Sequence, residues 1–211
     1  MNNANYSEII AEILALMIAI IGHEIMHGLV AYKYGDNTAK NAGRLSINPI
    51  VHIDLIGTII LPAFLYFSGA PFMFGWAKPV PIDIRTVLRN GGYAGAIAVS
   101  LAGITYNFFL AIVASFIFPY FNVAGSFIGY LLYMLVVYNV VLGVFNLYPI
   151  PPLDGAHALE YFAKIIKADR VANFLDRIER YGMIILIIFI ATPLANWFFY
   201  PAQYIISILL K

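Results

Sequence analysis

The run His23-Glu24-Ile25-Met26-His27 holds the residue types and spacing that could do chemistry. On a helix, positions i and i+4 share a face. Two imidazoles placed that way can bind one Zn2+, and a glutamate beside them can hold an attacking water. Glu24 would take that water's proton and pass it to a leaving amine. The setting favours this over a chance match. Three ionisable groups sit deep in an apolar helix, where each charge or unpaired polar group costs roughly 2 kcal/mol or more. Nothing nearby in the sequence supplies partners for a merely structural histidine pair.

A catalytic zinc takes three protein ligands and leaves its fourth position to water. The chain has no cysteine and only four histidines, so a metal must be held by His and carboxylate. The candidate third ligand is Asp154, in the run Asn146-Leu147-Tyr148-Pro149-Ile150-Pro151-Pro152-Leu153-Asp154-Gly155. Prolines end or unwind a helix. The unwound chain can swing a carboxylate sideways, with Gly155 relieving crowding behind it. The bland alternative is an ordinary helix stop, with Asp154 capping the next helix. The histidine pair tips the balance to the ligand.

The elements that must position these groups are apolar. Of 211 residues, 62% are hydrophobic and 11% charged, with a mean hydropathy of +0.85. An average soluble domain is about 25% charged. These values exclude disorder and a soluble globule. A net charge of +1 offers no basic field for nucleic acid. Glu8 and Glu12 open the first apolar run with no positive charge before it, which reads as a mature helix and not as a cleavable leader. Crossing the hydrocarbon takes about 20 apolar residues. Four segments qualify: about Ser7 to Tyr34, Ala94 to Phe118, Gly125 to Leu147, and Gly182 to Leu210 with Pro193 and Pro201 inside it. A fifth stretch, Ile53 to Trp76, contains Pro62 and Ser68-Gly69-Ala70-Pro71, which break a helix.

Basic residues fix the sidedness. Lys33, Lys40 and Arg44 follow the first helix, Lys78, Arg85 and Arg89 precede the second, and five basic residues from Lys164 to Arg180 follow the third. The turn Pro119 to Ala124 has no charge. Basic segments belong in the cytoplasm, so Leu45 to Arg89 begins and ends on one side. The fifth stretch must then dip in and return, or lie against the bundle. Non-spanning backbone at membrane depth persists only where protein covers it or water reaches it, which points to a cavity. The expected fold is all-α, a polytopic bundle of about four spanning helices with a re-entrant or membrane-associated segment and a short cytoplasmic extended segment. It forms one domain over 1–211, with a catalytic core at about 7–155 and an interfacial segment and last helix at 156–211.

At these residues the sequence resembles the site-2 protease family of intramembrane zinc metalloproteases, peptidase family M50, in its compact form without a PDZ domain. The motifs fall in the family's order: His23-Glu24-x-x-His27; Gly35 to Ala39 and Gly43 to Pro49; His52-Ile53-Asp54; Gly75-Trp76-Ala77-Lys78-Pro79-Val80-Pro81; Ser100-Leu101-Ala102-Gly103-x-x-x-Asn107; and Asn146 to Gly155. The resemblance implies a three-helix catalytic core, one Zn2+ per chain on His23, His27 and Asp154, and Glu24 as base. It implies a site opening to the cytoplasm, a transmembrane protein or peptide as substrate, and a home in a bacterial plasma membrane. It also implies sheet-like structure at Gly43 to Asn48, a short cytoplasmic extended segment where a substrate unwinds. Two positions depart from the family. Gly-Pro is usual at Gly103, and here Ile104 replaces the proline; Leu55 stands where a proline is usual after Asp54. Both concern helix shape, not ligands.

Asn107 and Asn146 are amides inside apolar helices. They suit hydrogen bonding to a substrate carbonyl or developing oxyanion, with helix–helix glue as the alternative. His52 and Asp54 could orient a ligand from behind, with a structural pair that anchors the loop as the slightly favoured alternative. His157, three residues after Asp154, is within reach of the site but would close the metal to water if it ligated. Two other functions compete with proteolysis. A transporter or channel also carries intramembrane His and Asp, but no inverted repeat is present. A catalytically inactive, partner-binding relative would have no need of Glu24.

Overall fold

A computed structural model describes residues 6–69, 75–121 and 126–211. Helix α1 (Tyr6–Lys33) is 28 residues long. That gives about 42 Å at 1.5 Å per residue, more than a bilayer's apolar core of about 30 Å. No proline interrupts it. Glu8 in its first turn and Lys33 in its last complement the helix dipole. Ala11, Ala15, Ala19, His23, His27 and Ala31 recur at every fourth position and are all buried. The histidines therefore continue a stripe of alanines that lets other helices come close.

A short α2 (Thr38–Asn41) follows. Asp36 accepts from Thr38 N (2.8 Å) and Asp83 N (2.7 Å), tying α2 to the segment that leads into the helix beginning at Ile84. After a 3₁₀ turn (Pro49–His52), a π-helical turn (Leu55–Ile60) runs into α3 (Leu61–Phe67). Asp54 caps the π turn through Ile56 N and Gly57 N at 3.0 and 2.7 Å. His52 bonds the Ser46 carbonyl at 2.8 Å, so each anchors the loop separately. Leu55–Phe67 is too short to span. Trp76 N donates to Gly57 O (3.1 Å) and Thr58 Oγ1 donates to Trp76 O (2.9 Å), so the arm returns to the level at which it left. Leu55, Ile56, Ile59, Ile60, Phe64 and Phe67 are exposed on it, which gives the arm an apolar outer surface. The expected break after Phe67 begins at Ser68; Ala70 and Pro71 lie outside the described residues.

The long helices are α4 (Ile84–Ser100), α5 (Ala102–Ile117, extended by a 3₁₀ turn to Tyr120) and α6 (Phe127–Leu147). Helix α4 kinks at Gly92, whose φ of 60° and ψ of −160° suit glycine. Leu101 joins α4 to α5 with helical bonds kept on both sides, Leu101 N to Ile97 O and Thr105 N to Leu101 O, each 2.9 Å. Helices α1, α5 and α6 pack against one another around Ala15, Ala111, Ala114, Val136 and Val140. Then come α7 (Asp154–Ile165), packed on α4, the amphipathic α8 (Asp169–Glu179), α9 (Gly182–Ala191) and α10 (Leu194–Leu209), which lies on α6.

Tyr6–Lys33, Ala102–Tyr120 and Phe127–Leu147 are long and apolar enough to cross a membrane. The expected fourth span is broken. Helices α9 and α10 meet at 85° at Thr192-Pro193, so they make a fourth crossing only if the bent pair counts as one. The sheet-like segment needs correction. No strand occurs among the described residues, and Gly43 to Asn48 is irregular. Buried Arg44 holds it by donating to Lys78 O at 2.6 Å. Residues 75–83 form an irregular strap along α1, too rich in proline to pair as an inner strand.

Candidate metal centre

The four-residue spacing on α1 puts His23 and His27 on one buried face, with Nε2 atoms 3.0 Å apart. Asp154 opens α7 where the proline run has ended α6. Its Oδ2 lies 3.0 Å from His23 Nε2 and 3.2 Å from His27 Nε2. Helix α5 reaches this level closely because residue 103 is glycine. A Cβ there would stand 2.5 Å from His23 Cε1 and Nδ1 and from His27 Nε2. At Gly155 a Cβ would collide with the Leu147 carbonyl, so the turn before α7 requires glycine as well.

The protonation of the two imidazoles follows from what lies behind them. His27 Nδ1 faces Val99 O at 2.7 Å. A carbonyl only accepts, so Nδ1 carries the proton and Nε2 a lone pair. His23 Nδ1 faces Asn107 Oδ1 at 2.7 Å. The orientation of that amide is set by two further bonds. Asn107 Nδ2 donates to Ala19 O (3.2 Å) and to Asn139 Oδ1 (2.8 Å), and Asn139 Nδ2 donates to Leu135 O (2.8 Å). A flipped Asn107 would oppose an NH2 to His23 Nδ1 and an oxygen to two acceptors. The relay from Leu135 O through Asn139 and Asn107 thus fixes His23 with its proton on Nδ1 and its lone pair on Nε2. Asn107 and Asn139 are both 0% exposed.

Two imidazole lone pairs and one carboxylate oxygen therefore converge with no donor among them. Asp154 Oδ2 is buried and has no hydrogen-bond partner, although both histidines lie at ion-pair distance. Three acceptors at 3.0–3.2 Å are stable around a cation. Ligand atoms about 2.0–2.1 Å from a tetrahedral Zn2+ stand about 3.3 Å apart, close to the observed triangle. The three residues are the ones among the described residues grouped as a possible metal site. The donor set fits a metal ion.

The open side of this triangle faces a cleft of about 390 Å³, lined by Glu24, His27, Val80, Ser100, Asp154, His157 and Tyr161 among others. Glu24 Oε2 accepts from Val80 N at 2.8 Å, so the strap orients the carboxylate next to the histidines. The sequence expectations thus come together for His23, Glu24, His27 and Asp154. Asn107 stands behind the histidines with both amide hydrogens and its oxygen used, and does not line the cleft. Asn146 donates to Leu142 O of its own helix at 3.1 Å and also does not line it. Asn139 and the strap residue Val80 were missed. An amide in an apolar helix signalled Asn139; nothing in the sequence signals a backbone N–H at Val80.

Peptidase family M50 matches residues 121–190, the part carrying α6, α7 and Asp154. A Bacillus subtilis (strain 168) protein named "Putative zinc metalloprotease YwhC" is 33% identical over 197 residues, covering 90% of this chain and 84% of its own. The chain belongs to peptidase family M50. Two more relatives carry the same description. Rip2 of Mycolicibacterium smegmatis is 28% identical over 87% of this chain and 68% of its own. MJ0611 of Methanocaldococcus jannaschii is 30% identical over 72% of this chain and 70% of its own. No solved structure matches. This M50 chain is an integral membrane metalloprotease with a peptide or protein substrate. A transporter or channel finds no support in these relatives.

Proposed function

We propose that this M50 chain is an intramembrane zinc metalloprotease that hydrolyses peptide bonds within or near transmembrane segments. The carrying observation is the triangle of His23 Nε2, His27 Nε2 and Asp154 Oδ2, with three acceptors and no donor, opening on a cleft beside Glu24. His23, His27 and Asp154 would hold one Zn2+, which would supply polarisation of the scissile carbonyl and a lowered pKa for its water, towards 7.

Glu24 accepts a proton from the attacking water. The water oxygen bonds to the carbonyl carbon, the C–N bond breaks, and Glu24 returns the proton to the leaving amine, so it ends as it began. Asn107, backed by Asn139, keeps His23 in the tautomer whose Nε2 faces the site. Residues 1–211 act as one membrane domain, with its catalytic core at about 7–155.

Charge supports a cytoplasmic opening. His27 lies six residues before Lys33, at the basic end of α1. That is about 9 Å along the axis. The substrate bond accordingly lies in the cytoplasmic half of a spanning segment of a bacterial plasma-membrane protein. The test uses purified chain in proteoliposomes with a model transmembrane substrate. Glu24→Gln should abolish cleavage while zinc stays bound. Equal cleavage by Glu24→Gln and wild type would sink this mechanism.

A further inference from the structure

Most polar groups of the cleft are spent. Glu24 is held by Val80 N, His27 Nδ1 by Val99 O, and Ser100 Oγ donates to Ala96 O at 3.0 Å. Two side chains keep donors in hand. Neither the His157 imidazole nor the Tyr161 hydroxyl makes a hydrogen bond among the described residues, yet both line the cleft. They stand on α7 at i and i+4, and His157 follows Asp154 by three, so all three share one helix face. Helical side chains lean towards the N-terminus, so both lean back towards Asp154. The rise from Asp154 to His157 is about 4.5 Å. The Tyr161 ring is fixed by stacking on Tyr93, centroids 6.4 Å apart, and by Lys164 Nζ at 5.4 Å from its centroid. Burial, then Glu160 and Glu179, push its phenol up to about 12, so it stays protonated and able to donate.

Helix α1, which carries the base, lines the same cleft through Glu24 and His27. A carbonyl held in the cleft meets water from the Glu24 side and N–H or O–H donors from the α7 side. We propose, resting on the metalloprotease reading above, that His157 donates a hydrogen bond to the scissile carbonyl oxygen as it gains negative charge. Tyr161 donates to the substrate backbone one turn further along the cleft. This makes His157 a catalytic residue beyond the metal ligands and base. Donors placed where charge develops act mainly on the transition state.

The test compares wild type, His157→Ala, His157→Gln and Tyr161→Phe, as full chains in proteoliposomes. Zinc per chain and cleavage kinetics are measured. So is binding of two probes, a phosphinic peptide whose tetrahedral phosphinate carries the oxyanion and the same peptide with an uncleavable N-methyl amide. For His157→Ala the expectation is unchanged zinc and a kcat lower by about a hundredfold. KM should stay within about twofold. Phosphinate affinity should fall alongside kcat, and N-methyl amide affinity should not. His157→Gln should recover part of the loss, because its amide donates. Tyr161→Phe should weaken both probes and keep the Tyr93 stacking. The proposal fails if His157→Ala cleaves within about twofold of wild type, or if it raises KM alone. It fails equally if the variant loses zinc, which would make His157 a support of the ligands. A wild type that does not cleave, or Glu24→Gln cleaving as wild type does, overturns the protease reading and this assignment with it. A null effect confined to His157→Ala overturns the assignment alone.

Discussion

Replacing Gly103 by alanine tests how closely α5 must approach the metal ligands. The new Cβ would lie 2.5 Å from His23 Cε1, His23 Nδ1 and His27 Nε2, where ordinary contact begins near 3.4 Å. The neighbours are two fixed rings, so α5 must retreat by about 0.9 Å at this level. Asn107 sits one turn further along α5, and its 2.7 Å bond to His23 Nδ1 lengthens with that retreat. At about 3.6 Å it is no longer a hydrogen bond. His23 then loses the partner that fixes its tautomer, a change that typically costs 10–100-fold in metal affinity. Overpacking adds about 1–3 kcal/mol of destabilisation. The assay is zinc competition against a fluorescent chelator, with thermal unfolding alongside. Gly143→Ala serves as the control. Its Cβ would meet the Phe108 ring at 3.1 Å, inside the same bundle but away from the ligands. It should cost stability without zinc affinity. If Gly103→Ala keeps zinc affinity within about threefold of wild type, the tautomer argument is wrong.

The remaining predictions address the second amide, the strap and the topology. Asn139→Leu should weaken zinc binding by about tenfold and lower the unfolding temperature, because it frees one Asn107 hydrogen in a dry interior; Asn107→Leu should be worse, and wild-type affinity in both would remove the relay from the site. Val80→Pro deletes the N–H that orients Glu24 and should lower cleavage about tenfold with zinc retained, a bond to a charged group being worth about 1.5–3 kcal/mol; unchanged or faster cleavage would assign the strap another role. Single cysteines can be placed freely because the chain has none of its own. One at Tyr120 should be labelled from outside intact cells, and ones at Lys40 and Lys167 should be protected; external labelling at Lys40 would reverse the orientation.

The sequence exposed the parts of the site that depend on local rules. His23 and His27 share a face because four residues nearly complete a helical turn. The proline run before Asp154 announced a break that frees a carboxylate. Lysines and arginines on both flanks of residues 53–76 suggested an arm that dips in and returns or lies against the bundle, and the Trp76–Gly57 bond brings the two ends of that stretch together. What stayed hidden depends on how helices rotate and slide against one another. Asn139 and Asn146 are seven residues apart and share a face of α6. Only the level at which α5 crosses α6 decides that Asn139 meets Asn107 while Asn146 bonds back to Leu142. The kink at Gly92 went unread because it lies between Arg89-Asn90 and the apolar segment that starts at Ala94, where a helix start is as natural as a bend. The sheet-like reading of Gly43 to Asn48 failed on a partner. Lys78 offers its carbonyl to Arg44, and prolines at 79 and 81 remove the donors a ladder needs.

The amide relay also explains how an ionic site can exist in the middle of an apolar bundle. A carboxylate behind His23 would hold the same tautomer, but at a position 0% exposed it would bring a second buried charge, costing several kcal/mol. Asn107 does the job without charge, and both its hydrogens and its oxygen are paired, so its burial leaves nothing unsatisfied. With both imidazoles neutral, the centre carries the charges of Asp154 and Glu24 alone. One divalent cation brings their sum to zero. Neutral closure is what a low-dielectric setting demands. It also ties the base to the metal: without the ion, the two carboxylates face each other's charge across the cleft. Metal occupancy and the readiness of Glu24 are therefore one electrostatic condition. That is the reason the relay, which touches neither the cleft nor the substrate, belongs to the working site.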